Sequence, residues 1–259
     1  MTLIQILILA AVQAICELLP ISSSAHVIVA EKLMGLDPTA PPMTLLLVML
    51  HTGTMFAVIV YFWRSWRDRY FVSGATFGAF AKSVTVATAL TGIIGIALLL
   101  FIERVVLQGS AHAEVEQLFG NMYVISAGLA AVGVMIILSA RREVTAPHTQ
   151  PVGVKEAAWI GAIQGLCLPF RGFSRSGSTI STGLLLGLDR ERVAEFSFAL
   201  AVVITPAVIA KESYRLIKAS GGTLLHGSGV FDLIWPSLLG MMLSFVAGLV
   251  ALRWLSRWL

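Results

Sequence analysis

Read for hydropathy alone, the chain is a series of apolar stretches separated by short polar ones. Five stretches, about residues 43–63, 82–102, 120–140, 193–213 and 231–252, are long and apolar enough to cross a bilayer as helices. None alternates apolar and polar positions in the manner of a barrel strand, so helices are expected throughout. Two further regions, 3–34 and 153–188, are also apolar but are interrupted midway by Pro, Ser, Gly and charge. Non-helical backbone at membrane depth survives only where protein buries it or a cavity wets it, so each is expected to be a re-entrant helical hairpin with a polar tip. The expected fold is therefore an all-α membrane protein of five spans and two hairpins.

The two interrupted regions read as copies of each other. Ala11-Val12-Gln13-Ala14-Ile15-Cys16 is matched by Ala162-Ile163-Gln164-Gly165-Leu166-Cys167, an offset of 151 residues, and a proline and a serine cluster follow in both. Paired broken segments of this kind point to an inverted repeat with its site at the repeat interface. The expectation is one integral domain, 1–259, with a first repeat over 1–140 and a second over 153–259, their polar tips meeting inside the bilayer.

Composition strengthens the membrane assignment. Hydrophobic residues make up 57% and charged residues 12%, with mean hydropathy +0.87, whereas soluble domains carry about 25% charged residues. The N-terminus lacks a basic start with a short apolar core and cleavage site, so no cleaved signal peptide is expected. Cys16 and Cys167 lie in apolar sequence without zinc-ligand spacing and read as packing residues. The pI near 9.3 is a topology signal and not a nucleic-acid footprint. With 64–82 placed in the cytoplasm, eleven Lys and Arg fall inside against five outside, the other two, Arg171 and Arg175, belonging to the second tip. The first hairpin then opens outward.

The candidate chemistry sits in the two tips. Glu17 is a carboxylate at membrane depth, which marks a functional position by default. Gln13 precedes it by four residues, on the same helical face, and the two offer oxygen ligands for a hard divalent cation. Ser22, Ser23 and Ser24 follow Pro20, and His26 lies three residues past Ser23, near enough on a helix to serve as its base. Packing and capping by the three serines is the competing explanation. In the second tip, Ser174, Arg175, Ser176, Gly177 and Thr179 combine a guanidinium, hydroxyls and a permissive glycine with the start of a helix, a set suited to phosphate.

Gln13-x-x-x-Glu17 with Pro20-x-Ser22-Ser23-Ser24-Ala25-His26, and Gly172-Phe173-Ser174-Arg175-Ser176-Gly177-Ser178-Thr179, resemble the two motifs of the undecaprenyl-diphosphate phosphatase family. The resemblance runs from near residue 3 to the end and includes Phe196-Ser197-Phe198. It implies hydrolysis of a polyprenyl diphosphate to the monophosphate, recycling the lipid carrier of bacterial cell-wall synthesis, with bacitracin resistance as the associated trait. It implies Glu17, Ser23, His26 and Arg175 as the catalytic set and Ser174 and Thr179 as phosphate-binding positions, with Ser22, Ser176 and Gly177 beside them. Gln13 and Glu17 are the expected holders of Mg²⁺ or Ca²⁺. The expected setting is the bacterial inner membrane with the site toward the outer face, and a homodimer is the candidate assembly. Ala25 in place of Gly, Arg171 in place of Pro, and five spans in place of six depart from the family pattern. Attack by Ser23 and direct attack by water are both open at this level, as is the identity of the base. The rival function is a transporter or flippase of polyprenyl phosphates, since broken helices in inverted repeats are also a transporter architecture.

Overall fold

A computed structural model describes residues 1–19, 21–106, 121–141, 151–170, 172–219 and 229–255. Pro20 and Arg171 lie outside the described residues. The described chain is helical: α1 (Leu3–Leu18), α2 (Ser23–Leu33), α3 (Pro41–Tyr70), α4 (Gly74–Phe101) continued by a π turn (Ile102–Val106), α5 (Met122–Ala140), α6 (Val154–Cys167), α7 (Arg175–Leu185), α8 (Arg190–Ala219) and α9 (Gly229–Leu255). Among the described residues, five helices contain a stretch long and apolar enough to cross a membrane: Pro42–Tyr70, Gly74–Val105, Met122–Ala140, Arg190–Lys211 and Ile234–Trp254. These are the five spans expected from hydropathy.

Both interrupted regions are helix–break–helix pairs. The first arms, α1 and α6, have 16 and 14 residues, about 24 and 21 Å at 1.5 Å per residue, too short for a hydrocarbon core of about 30 Å. The second arms, α2 and α7, each have 11 residues. One boundary differs from expectation. The spans expected over about 43–63 and 82–102 belong to longer helices: α3 runs on to Tyr70, α4 starts at Gly74, and Lys82 lies within α4. The helices outlast their apolar stretches because α3 ends on Arg67 and Arg69, which favour a helix C-terminus, while the Ser73 side chain caps the Thr76 amide at 3.2 Å.

The chain forms two compact units. The first holds Met1–Leu19, Ser23–Tyr61 and Ile204–Leu259; the second holds Pro20–Ser22 and Phe62–Val203. In the first unit Leu9 and Ala10 of α1, Val27 of α2 and Leu46, Leu47 and Leu50 of α3 form a buried core, with Leu243 of α9 against it. The Ser244 hydroxyl donates to the Leu50 carbonyl at 2.8 Å. α1 opens with a capping box in which Thr2 and Gln5 satisfy each other's amides, so the arm is firmly started before it reaches its polar end.

In the second unit α4 and α6 pack through small residues. A Cβ on Gly161 would lie 2.2 Å from the Ala87 carbonyl oxygen, so only glycine lets the two backbones come together there. Ala87, Ala157, Ile160, Phe196 and Leu200 form the buried core of this unit. Glu195, 1% exposed, accepts from Arg69 at 2.9 Å and from the Ser65 hydroxyl; Arg69 also reaches Glu191 at 2.8 Å. Removing the cation alone leaves a buried carboxylate without its counter-charge. Arg69→Met is expected to lower stability by about 3 kcal/mol, read as a fall in melting temperature in detergent, and Glu195→Leu added to it should recover much of the loss. An Arg69→Met protein as stable as wild type would show that the pair contributes nothing.

Candidate active site

The polar end of the first hairpin is built by α1, α2 and α3. Gln13 and Glu17 share one face of α1, and the Gln13 amide donates to Glu17 Oε2 at 3.1 Å. α2 begins at Ser23, whose hydroxyl donates to the same carboxylate oxygen at 2.5 Å. His51, midway along α3, completes the group: its Nε2 lies 3.2 Å from Ser23 Oγ and 3.4 Å from Glu17 Oε2. Its Nδ1 donates to the Leu47 carbonyl at 2.8 Å, which fixes the ring and turns Nε2 toward Ser23. The Glu17 side chain is 5% exposed and that of His51 28%, so the carboxylate is enclosed while the imidazole retains access. A hydroxyl that donates to a carboxylate beside an imidazole has the neighbours that activation of a nucleophile requires.

Ser22, just before α2, has φ +68, a left-handed conformation costing a non-glycine residue about 1 to 2 kcal/mol. Such strain is found where a turn is constrained by function, and here it immediately precedes the Ser23–Glu17 pair. His26 lies one turn along α2 from Ser23.

The second hairpin presents the start of α7. Ser174 is the N-cap, its hydroxyl accepting from the Gly177 amide at 3.1 Å. Arg175, Ser176, Gly177 and Ser178 make up the first turn, with Thr179 just after it, and the leading amides of that turn have no partner within the helix itself. Gly172 brings the chain into this turn with φ +99, and a Cβ there would lie 2.3 Å from the Ile125 carbonyl oxygen of α5. Both the dihedral and the space require glycine.

Of the residues singled out in the sequence, Gln13, Glu17 and Ser23 come together directly. Ser174, Arg175, Ser176, Gly177 and Thr179 come together at the start of α7, Ser174 as its N-cap. Thr179 is enclosed: it is 0% exposed, and its hydroxyl is taken up by the Arg175 carbonyl at 2.8 Å and by Ser197 Oγ at 2.7 Å. The imidazole within reach of Ser23 Oγ is His51, which the sequence motifs did not include. Its signal was a lone histidine inside the apolar stretch of a span, where ionisable groups are costly. Among the described residues no three His, Cys, Asp or Glu cluster as a metal site. Gln13 Oε1 is nevertheless buried without a hydrogen-bond partner among the described residues, on a side chain 0% exposed beside Glu17. An orphaned carbonyl oxygen next to a carboxylate fits a hard cation that would draw its other oxygens from substrate and water.

A protein whose described residues include five helices long and apolar enough to cross a membrane is an integral membrane protein. The chain belongs to the family described as bacitracin resistance protein BacA, whose model matches residues 6–259. It is 54% identical to undecaprenyl-diphosphatase 2 of Acinetobacter baylyi, over all of this chain and 90% of that protein. It is 33% identical to the undecaprenyl-diphosphatase of an Anaeromyxobacter species, over all of this chain and 81% of the other, and 33% identical to that of Thermus thermophilus, over 96% and 85%.

Proposed function

We propose that this chain hydrolyses undecaprenyl diphosphate to the monophosphate and inorganic phosphate, returning a lipid carrier to bacterial cell-wall synthesis. The observation that carries this reading is the Ser23 hydroxyl held at 2.5 Å by Glu17 and at 3.2 Å by His51. Ser23 Oγ attacks the terminal phosphorus and its proton passes to Glu17. The bond from that phosphorus to the bridging oxygen breaks, and polyprenyl monophosphate leaves. Glu17 releases its proton to solvent; water then attacks the phosphoserine and gives a proton to Glu17, the bond from phosphorus to Ser23 Oγ breaks, and Glu17 returns that proton to Oγ as phosphate departs. His51 Nε2 lies beside both Ser23 Oγ and Glu17, and His26, a turn further on, is a second proton carrier. On the second hairpin, the Arg175 guanidinium and the amides that open α7 ahead of Gly177, whose own amide Ser174 takes, offer donors to phosphate oxygens, where fixed donors act on charge without having to reorganise. A flippase would need no nucleophile, and the full-length relatives reported above carry the name of a diphosphatase, so the transporter reading is not favoured.

Gln13 and Glu17 are the residues that would hold Mg²⁺ or Ca²⁺, and such an ion would supply neutralisation of the diphosphate charge. The excess of Lys and Arg on the segments assigned to the cytoplasm supports a reaction at the outer face. The test of the function is phosphate release from C55 and C15 diphosphates by detergent-purified protein. Turnover of both is expected; binding without release would sink the reading in favour of a transporter. Turnover should stop on exhaustive chelation and return with Mg²⁺ or Ca²⁺. Glu17→Gln, which keeps the volume and removes the charge, should lower kcat by about 100-fold or more and blunt the response to added metal. Undiminished turnover in chelator would exclude the ion.

A further inference from the structure

The carbonyl oxygen of Arg175 accepts two side-chain hydrogen bonds from its own helix, from Ser178 Oγ at 3.1 Å and from Thr179 Oγ1 at 2.8 Å. Each of those hydroxyls is tied in turn to a different neighbouring helix. Ser178 meets the Cys167 thiol, at the end of α6, at 2.9 Å, and Thr179 meets Ser197 Oγ, on α8, at 2.7 Å. Ser197 makes a second connection to the same residue, since its carbonyl oxygen accepts from Arg175 Nη1 at 3.5 Å. Ser178, Thr179 and Ser197 are all 0% exposed.

The hydroxyl protons order this network. Thr179 has one proton, and donating it to the Arg175 carbonyl leaves Ser197 to supply the proton of the 2.7 Å contact. Thr179 then has nothing left to donate to a phosphate, and its burial keeps it from one. We infer that Ser197 is a positioning residue for phosphate binding: through Thr179 on one side and its own carbonyl on the other, it braces the backbone and guanidinium of Arg175 against α8. This rests on the assignment of Arg175 to phosphate oxygens. It changes the part played by Thr179, which acts on the substrate through Arg175 and not by touching it.

The experiment compares Ser197→Ala, Thr179→Val, Thr179→Ser and the double variant Ser197→Ala/Thr179→Val, with Arg175→Lys beside them, using C15 diphosphate in detergent and melting temperature as the fold control. Ser197→Ala should lower kcat/KM by about tenfold, mainly through KM, because a guanidinium displaced by a fraction of an ångström binds less well. Thr179→Val should do the same, and the double variant should fall no further than about twofold beyond either single one, because both cut the same brace. Thr179→Ser keeps the hydroxyl and should stay within about threefold of wild type. Ser197→Ala kinetics indistinguishable from wild type overturn the proposal, as do single losses that multiply in the double variant. A loss that lies wholly in the amount of folded protein overturns it too. If Arg175→Lys is as active as wild type, the assignment of Arg175 fails and the brace with it. If Arg175→Lys is crippled and Ser197→Ala is not, only the brace fails.

Discussion

Ser23→Ala is expected to abolish phosphate release, with kcat down by at least about 1,000-fold, equivalent to about 4 kcal/mol of barrier. The structure separates the three consecutive serines. Ser23 opens α2 with its hydroxyl on Glu17 and His51. Ser22 lies in the turn with its backbone in the left-handed region. Ser24 enters neither the Glu17 nor the His51 contact. Ser22→Ala should therefore reduce turnover less than Ser23→Ala, and Ser24→Ala least. The loss of one hydrogen bond to Glu17 costs the fold about 1 to 2 kcal/mol, since Gln13 still donates to the same oxygen. The Ser23→Ala protein should accordingly remain folded in detergent and still bind C15 diphosphate. Substantial turnover by that variant would transfer the attack to water. Inactivity matched by unfolding in all three serine variants would make the cluster a packing device.

Arg175→Lys is expected to lose about 100-fold in kcat/KM although the positive charge is kept. A guanidinium offers a planar fork to two phosphate oxygens, whereas an ammonium is a point charge on a flexible stem. The loss should be larger than the charge alone predicts because the site around Arg175 is shaped for that group, with the Ser174 N-cap before it and Ser197 beside its Nη1. Measured with C15 diphosphate, the fall should appear in KM as well as kcat. Activity close to wild type would remove Arg175 from phosphate binding and leave the helix start to carry it alone.

How much of this was legible in the sequence follows the range of the interactions. Gln13 and Glu17 are four apart, so helical periodicity alone sets them side by side. Ser174 to Thr179 is a contiguous stretch that becomes the cap and start of one helix, and its glycine and serine content announced the break and the cap. The apolar stretches announced the spans for the same reason, because a bilayer imposes helix length directly. Helix ends were less legible: α3 and α4 overran their apolar stretches because capping and terminal charge, not hydropathy, decide where they stop.

The sequence by itself determined an all-α membrane fold, the two broken helix pairs and the residue types at their tips, since each follows from composition and spacing within one element. Only the tertiary structure decided which partner each group acquires. His51 reaches Ser23 from 28 positions away, Ser197 reaches Thr179 from 18, and Arg69 reaches Glu195 from 126. Those partners lie on different helices, and in a bilayer helices choose neighbours by surface shape and a few polar contacts, because apolar burial favours no particular pairing. Close approaches such as Gly161 on Ala87 set the register, and nothing periodic in the chain records which glycine meets which carbonyl.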